Sequence, residues 1–161
     1  MIERAPFQAC VRTSVTTIGI RATDTHVTAI RYLAPSVPAL APKKGTIAFL
    51  ACVEIQAYLD DPSFRFALPL ALSGSRHELA VWEAMQKIPS GRTRTYGDLA
   101  ADIGSSPRAV GAACGSNPIP IVVPCHRVIA TGGRIGGFMG SKAEGFELSI
   151  KRWLLGHEGA L

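Results

Sequence analysis

Residues 121–128 are Ile-Val-Val-Pro-Cys-His-Arg-Val, a short apolar run that ends in a cysteine beside a histidine. Three consecutive β-branched residues favour an extended, buried segment, and Pro124 ends it because the ring fixes φ and removes the N–H. Cys125 is therefore expected at a rigid corner, a suitable position for a nucleophile. The glycine-rich residues 130–140 follow, and their backbone can fold closely over a substrate as a pocket wall.

The composition predicts a folded chain of one or two small domains. Of the 161 residues, 47% are hydrophobic and 18% are charged, which supports a packed core and argues against disorder. The formal net charge is +5, and residues 87–134 hold six basic residues against only Asp98 and Asp102. This local excess indicates an anionic partner, although charge alone would favour a merely solvated basic surface.

The four cysteines do not have the spacing of a metal site. None belongs to a Cys-x-x-Cys pair or has a suitably spaced histidine, so we expect no metal site and a reduced, cytoplasmic protein. The N-terminal residues lack a signal-peptide pattern. The apolar residues 47–59 are interrupted by Glu54 and are too short to cross a bilayer. We therefore expect neither secretion nor membrane insertion.

The first half of the chain alternates between strand and helix patterns. Residues 7–13, 17–22 and 26–32 are rich in β-branched residues and predict an antiparallel meander, and residues 45–59 have apolar residues near helical spacing. Residues 60–75 contain two prolines and predict an irregular connection. We place a domain boundary there, which gives an N-terminal α/β domain at 1–75 and a mainly α domain at 76–161.

The second half has helical periodicity at 78–88, 95–103, 107–114 and 145–155. Ser106 is suited to the N-cap and Pro107 to the first position of the third of these helices. The two short helices that meet at Gly104 predict a helix-turn-helix. The second of them has Arg108 as its only charge, so it cannot make a full set of base contacts in the major groove. It could instead lie against a minor groove and insert one residue, or pack as a small-residue core helix.

Pro-Cys-His-Arg-Val lies after Asn117-Pro118 and before residues 152–158, Arg-Trp-Leu-Leu-Gly-His-Glu. This ordered set resembles the active-site signature of the O6-alkylguanine-DNA alkyltransferases, also called methylated-DNA–protein-cysteine methyltransferases. The resemblance covers roughly the last half of the chain, and residues 1–75 match only loosely. It implies a ribonuclease-H-like α/β domain followed by a helical domain with a winged-helix-like helix-turn-helix.

The resemblance also implies direct DNA repair. The protein would bind duplex DNA through the minor groove as a monomer, flip an O6-alkylated guanine, and accept the alkyl group on Cys125 once, without a cofactor. O4-alkylthymine is a further candidate substrate. A water would relay the thiol proton to His126, which Glu158 would orient as in a Ser-His-Asp triad. Asn117 would hold the turn before Cys125, and His157 is left out of the catalytic set.

Contacts to DNA and to the base are likewise implied by the resemblance. Tyr96 would contact the phosphate of the extruded nucleotide, Arg108 would fill its vacated place, and Arg127 would be a brace with an additional DNA contact. The implied DNA-binding set is Tyr96, Arg108, Ala109, Gly111 and Arg127. The implied substrate pocket is Tyr96, Cys114, Val128, Phe138, Met139 and Gly140.

Two departures and two alternatives accompany this interpretation. Phe138 stands where many members have a tyrosine, and residues 141–147 lengthen the connection to Trp153.

One alternative is a DNA-damage sensor or regulator without chemistry, against which Cys125 argues. The other is a thiol hydrolase with a Cys-His pair. The number of groups transferred per molecule separates them: none for the sensor, one for the transferase and many for the hydrolase.

Overall fold

A computed structural model describes residues 6–161 of the chain. They form two compact units, of which the first ends at Leu72 and the second comprises Ser73–Leu161. Among these residues, no helix is both long enough and apolar enough to cross a membrane.

The first unit is a three-stranded antiparallel sheet with one helix. The strands β1 (Ala9–Arg12), β2 (Thr17–Ala22) and β3 (Val27–Leu33) lie in the order β1-β2-β3. The helix α1 (Ile47–Asp60) contacts all three strands, and Thr46 caps its N-terminus by accepting a hydrogen bond from the Phe49 amide. The predicted meander and helix are confirmed. The core between sheet and helix is formed by Ile18, Ile20, Ile30, Ile55 and Tyr58, all fully buried.

The second unit contains four helices, which are α2 (Arg76–Gln86), α3 (Tyr96–Ile103), α4 (Pro107–Gly115) and α5 (Phe146–His157). Their boundaries follow from local capping. Ser75 with Glu78 and Thr95 with Asp98 form capping boxes at α2 and α3, in which each side chain satisfies a free backbone amide.

The turn between α3 and α4 is short and well defined. Gly104 ends α3 with φ 66°, a left-handed conformation that glycine adopts without a steric cost. Ser106 caps α4 by accepting from the Ala109 amide, and Pro107 occupies the first turn, as predicted from the sequence. The buried indole of Trp82 donates to the Ala113 carbonyl at 2.9 Å and so fastens α2 to α4.

A two-residue parallel strand pair, not predicted from the sequence, joins distant parts of the second unit. The strand β4 (Arg94–Thr95) precedes α3 directly and pairs with β5 (Val128–Ile129). Since β5 follows the Cys125 segment, this pairing places the start of α3 beside the candidate nucleophile.

Candidate active site

The segment before Cys125 is buried as predicted, but the predicted extended form is wrong. The Val123 amide donates to the Ile119 carbonyl at 2.9 Å, so residues 119–123 form a compact turn. Asn117 holds this turn from inside: its Nδ2 donates to the Val123 carbonyl at 2.8 Å, and its Oδ1 accepts from the Ile119 amide at 3.0 Å. Ile121 has φ 74°, a strained conformation for a β-branched residue. The turn therefore overrides the local β preference.

Cys125 begins a 3-10 turn, Cys125–Arg127, and its side chain is almost completely buried. Burial raises the pKa of the Cys125 thiol to about 11, while the Asn117 side chain and the Lys151 charge act in the opposite direction. A reactive cysteine usually has a lowered pKa, because the thiolate is the nucleophile. At rest this thiol is instead neutral at pH 7, so attack requires a base that removes its proton.

His126, the next residue in the chain, is the candidate for that base. Its Nε2 lies 2.8 Å from Oε2 of Glu158, and both side chains are fully enclosed. Burial lowers the pKa of His126, and the hydrogen bond and charge of Glu158 offset part of this effect. The neutral ring therefore donates from Nε2 and keeps a lone pair on Nδ1. Within residues 6–161, Nδ1 is buried without a hydrogen-bond partner, so it is free to accept a proton.

Arg127 faces inward and braces this pair. Its Nε and one terminal nitrogen donate to the two oxygens of Glu158 at 2.9 Å, and the other terminal nitrogen donates to the Ile88 carbonyl at 2.7 Å. The residue is 9% exposed. The predicted DNA contact by Arg127 is therefore corrected: its guanidinium is held inside the protein, where it fixes Glu158.

Cys125 lies at the wall of a cavity of about 940 Å³. Five of the six predicted pocket residues line this cavity: Tyr96, Cys114, Phe138, Met139 and Gly140. Two predicted DNA-binding residues of α4, Arg108 and Gly111, also line it. Val128 does not line the cavity, and its side chain is fully buried. Ala109 is half-buried on α4 and also lies outside the cavity wall.

Lys151 is a site residue that the sequence argument missed. Its Nζ is buried and donates to the carbonyls of Val128, Ile135 and Gly137 at 2.6–2.8 Å. These bonds hold the glycine-rich loop over the cavity, and burial lowers the pKa of Lys151 to about 8. The available signal was its position, since Lys151 is three residues from both Leu148 and Leu154 on the apolar face of α5.

Tyr96 closes the same loop from the other side. Its hydroxyl donates to the Gly137 carbonyl at 3.3 Å, and burial raises the pKa of this hydroxyl. A Cβ at Gly136 would lie 3.0 Å from the Tyr96 ring, so only glycine fits there without a shift. No cluster of three acidic, histidine or cysteine side chains suited to a metal ion occurs in the part of the chain that the structure describes.

Comparison with known proteins identifies the class to which this site belongs. The family model described as "6-O-methylguanine DNA methyltransferase, DNA binding domain" matches residues 76–160. The inducible methylated-DNA–protein-cysteine methyltransferase of Bacillus subtilis is 46% identical over 98 residues, which are 60% of this chain and 52% of that protein. A DNA base-flipping protein of Thermus thermophilus is 40% identical over 136 residues, 82% of this chain and 88% of that protein.

Solved structures agree with these sequence matches. The crystal structure of the Mycobacterium tuberculosis O6-methylguanine methyltransferase is 31% identical, with a TM-score of 0.76 over 94% of this chain and 91% of that chain. A Mycobacterium tuberculosis OGT in complex with DNA gives 32% identity and a TM-score of 0.77 over the same shares. The fold and the cysteine site thus define a DNA alkyltransferase class. The chain belongs to the 6-O-methylguanine DNA methyltransferase family, although it spans only about half the length of some curated relatives.

Proposed function

We propose that this protein repairs DNA directly by moving the alkyl group of an O6-alkylguanine onto Cys125, with O4-alkylthymine as a further candidate substrate. The observation that carries the proposal is the position of Cys125 at the wall of a cavity of about 940 Å³, directly before His126 in the chain, whose enclosed ring is paired with Glu158. Each molecule acts once, because a thioether has no easy route back to a thiol. No cofactor enters the reaction.

The proposed reaction begins with a proton transfer. A water takes the thiol proton of Cys125 to Nδ1 of His126, and Glu158 stabilises the ring as it becomes charged. The thiolate then attacks the alkyl carbon, so that an S–C bond forms while the C–O6 bond breaks. The electron pair of the broken bond remains on the guanine, which takes back, through water, the proton that His126 holds. The repaired guanine then leaves the cavity while still attached to the DNA. Asn117 keeps Cys125 in line by closing the turn before it.

We further propose that α3 and α4 form a winged-helix-like helix-turn-helix that binds the minor groove. Support comes from α4, whose exposed Arg108 lies at the cavity mouth and whose other side chains are small or apolar. Arg108 would enter the base stack while Tyr96, at the start of α3, meets the phosphate of the flipped nucleotide. Ala109 and Gly111 permit close approach of the helix to the groove.

The two compact units support two domains, a ribonuclease-H-like α/β domain at 1–75 and a DNA-binding and alkyl-acceptor domain at 76–161. We propose that the protein works as a monomer in the cytoplasm. Its four cysteines are all free thiols, which is the usual state in a reducing compartment.

A second candidate function is damage recognition without chemistry. It is favoured by the Thermus thermophilus relative, which is called a DNA base-flipping protein and matches 82% of this chain. Cys125 and its base argue for the transferase, since recognition alone needs neither.

Mass spectrometry after incubation with a duplex containing one O6-methylguanine tests the proposal. We expect one methyl group per protein, located on Cys125, with Cys10, Cys52 and Cys114 unmodified as internal controls. Binding without any mass change would favour the damage sensor. More repaired DNA than protein, with an unmodified Cys125 at the end, would favour the thiol hydrolase.

A further inference from the structure

Met139 sits at the tip of a tight turn in an unfavourable backbone conformation. The Phe138 amide donates to the Ser141 carbonyl at 2.8 Å, and the Ser141 amide donates back at 2.9 Å. The two residues between them have φ 50° at Met139 and 83° at Gly140. Two-residue turns with positive φ favour glycine, asparagine or aspartate. A methionine at the first position is therefore held there by the turn and not by its own preference.

The side chain of Met139 reaches the nucleophile. Its Sδ lies 3.8 Å from Sγ of Cys125, and both residues line the cavity. Cys125 is only 3% exposed. The thioether therefore fills space beside the sulfur that must receive the alkyl group.

The part of the cavity wall formed by Cys114 and Gly115 has less room to move. Cys114 contacts Met85 through sulfur atoms 3.7 Å apart in the core, and a Cβ at Gly115 would lie 3.4 Å from the backbone of Gly140. A methionine side chain, in contrast, has three rotatable bonds and adapts its shape to its neighbours. Met139 is thus the adjustable boundary of the space around Cys125.

We infer that Met139 determines the size of the alkyl group that Cys125 accepts, an inference that rests on the proposed function. The reacting carbon must come within about 3–3.5 Å of Sγ. It therefore enters the volume that the Met139 thioether now borders. A methyl group displaces this side chain little, whereas a benzyl group requires it to swing away. The residue acts on specificity and takes no part in the proton transfer.

Single-turnover rates on one duplex, carrying either O6-methylguanine or O6-benzylguanine, test this inference. Met139→Ala should raise the benzyl-to-methyl rate ratio by about tenfold, the usual effect of space for a larger apolar group. Met139→Leu has a similar volume but a stiffer, branched side chain, so it should lower the ratio.

Met139→Gly separates side-chain size from backbone strain, because glycine adopts a positive φ without cost. Equal rises in the ratio for the alanine and glycine variants would support the role of side-chain volume. A rise confined to glycine, or ratios within about twofold of wild type for all three variants, would overturn it. If the wild type alkylates Cys125 with neither substrate, the proposed function fails instead. If the alanine variant does not fold, Met139→Leu supplies the second readout, and a benzyl-to-methyl ratio that does not fall there would overturn the inference.

Discussion

The carboxylate of Glu158 lies 2.8 Å from Nε2 of His126, and neither side chain is exposed to solvent. The same carboxylate receives two hydrogen bonds from the next residue in the chain, Arg127. One acidic group near the C-terminus of α5 thus fixes both residues that follow the nucleophile. It holds the ring of His126 and also balances the buried charge of Arg127.

The first prediction concerns the stability that depends on Glu158. Glu158→Gln should lower the free energy of unfolding by about 3–5 kcal/mol, because it leaves the buried guanidinium of Arg127 without its counter-charge. Urea denaturation measures this change. Glu144→Gln is the matched control, since it breaks a bidentate pair with Arg152 on the exposed surface and should alter stability little. Similar losses in both variants would contradict the prediction.

The second prediction concerns the nucleophile. Cys125→Ser should abolish alkyl transfer yet retain binding to alkylated DNA, because a hydroxyl is a far weaker nucleophile and the DNA contacts are unchanged. Mass spectrometry and a binding titration on the same duplex measure the two properties. Cys114→Ser, which changes the other cysteine of the cavity, should keep transfer. Full transfer by the Cys125→Ser protein would eliminate the mechanism.

The third prediction concerns Arg108 and base extrusion. Arg108→Ala should slow repair of duplex DNA by about tenfold or more, since the vacated place in the stack is left unfilled. Reaction with free O6-benzylguanine needs no extrusion and should change little. Arg76→Ala, an exposed arginine at the start of α2, is a control for the loss of one surface charge. Equal losses on both substrates would show that Arg108 supports the fold or the pocket.

The fourth prediction concerns unmodified DNA. Because α4 has few polar side chains that could read base edges, we expect binding to unmodified DNA to be weak, nearly independent of sequence and dependent on phosphate contacts. Affinity should therefore fall steeply, by about tenfold or more, between about 50 and 200 mM salt. Fluorescence anisotropy with several unrelated duplexes measures this. A sharp consensus from random duplexes that persists at high salt would instead favour a sequence-specific regulator.

The fifth prediction concerns alkaline pH. Burial raises the pKa of Cys52 and Cys125 to about 11 and that of Cys114 to about 12. Unfolded thiols ionise near pH 9, so between about pH 9 and 11 the unfolded state loses protons that the folded state keeps, and stability falls. Lys151, with a pKa lowered to about 8, acts in the opposite sense between about pH 8 and 10.5.

Three thiols outweigh one lysine, so the melting temperature should fall by about 5–10 °C from about pH 8.5 to 10 in the presence of a reductant. Differential scanning calorimetry measures it. Cys52→Ala removes one of the three thiols and should make the fall shallower. A melting temperature that rises across this interval would show that Lys151 dominates.

The elements with local determinants could be predicted from the sequence. Ser106 and Pro107 define the start of α4, and Thr95 with Asp98 defines that of α3, through contacts within a few residues. The turn at 119–123 could not be predicted, because Asn117 and the surrounding core hold Ile121 against its β preference. The β4–β5 pair depends on residues more than thirty positions apart, and two residues are too few to indicate a strand even where, as at Val128-Ile129, both are β-branched.

In the candidate site, too, some features could be predicted from the sequence and others depend on tertiary contacts. The family resemblance implied that Glu158 orients His126, and the structure brings the two side chains within hydrogen-bonding distance. Arg127 was expected as a brace, but the additional DNA contact expected of it was wrong, and the burial of Lys151 was missed, since a basic residue is usually solvated and only its tertiary partners show otherwise. The raised pKa of Cys125 also depends on packing, which a motif does not describe.

The enclosed thiol of Cys125 has a consequence for the lifetime of the unused protein. With a pKa of about 11, only about one molecule in ten thousand carries a thiolate at pH 7. Stray electrophiles and peroxides in the cell react with thiolates and reach buried sulfur slowly. If Cys125 is consumed by a single reaction, as we propose, its burial keeps the unused protein intact until it meets alkylated DNA.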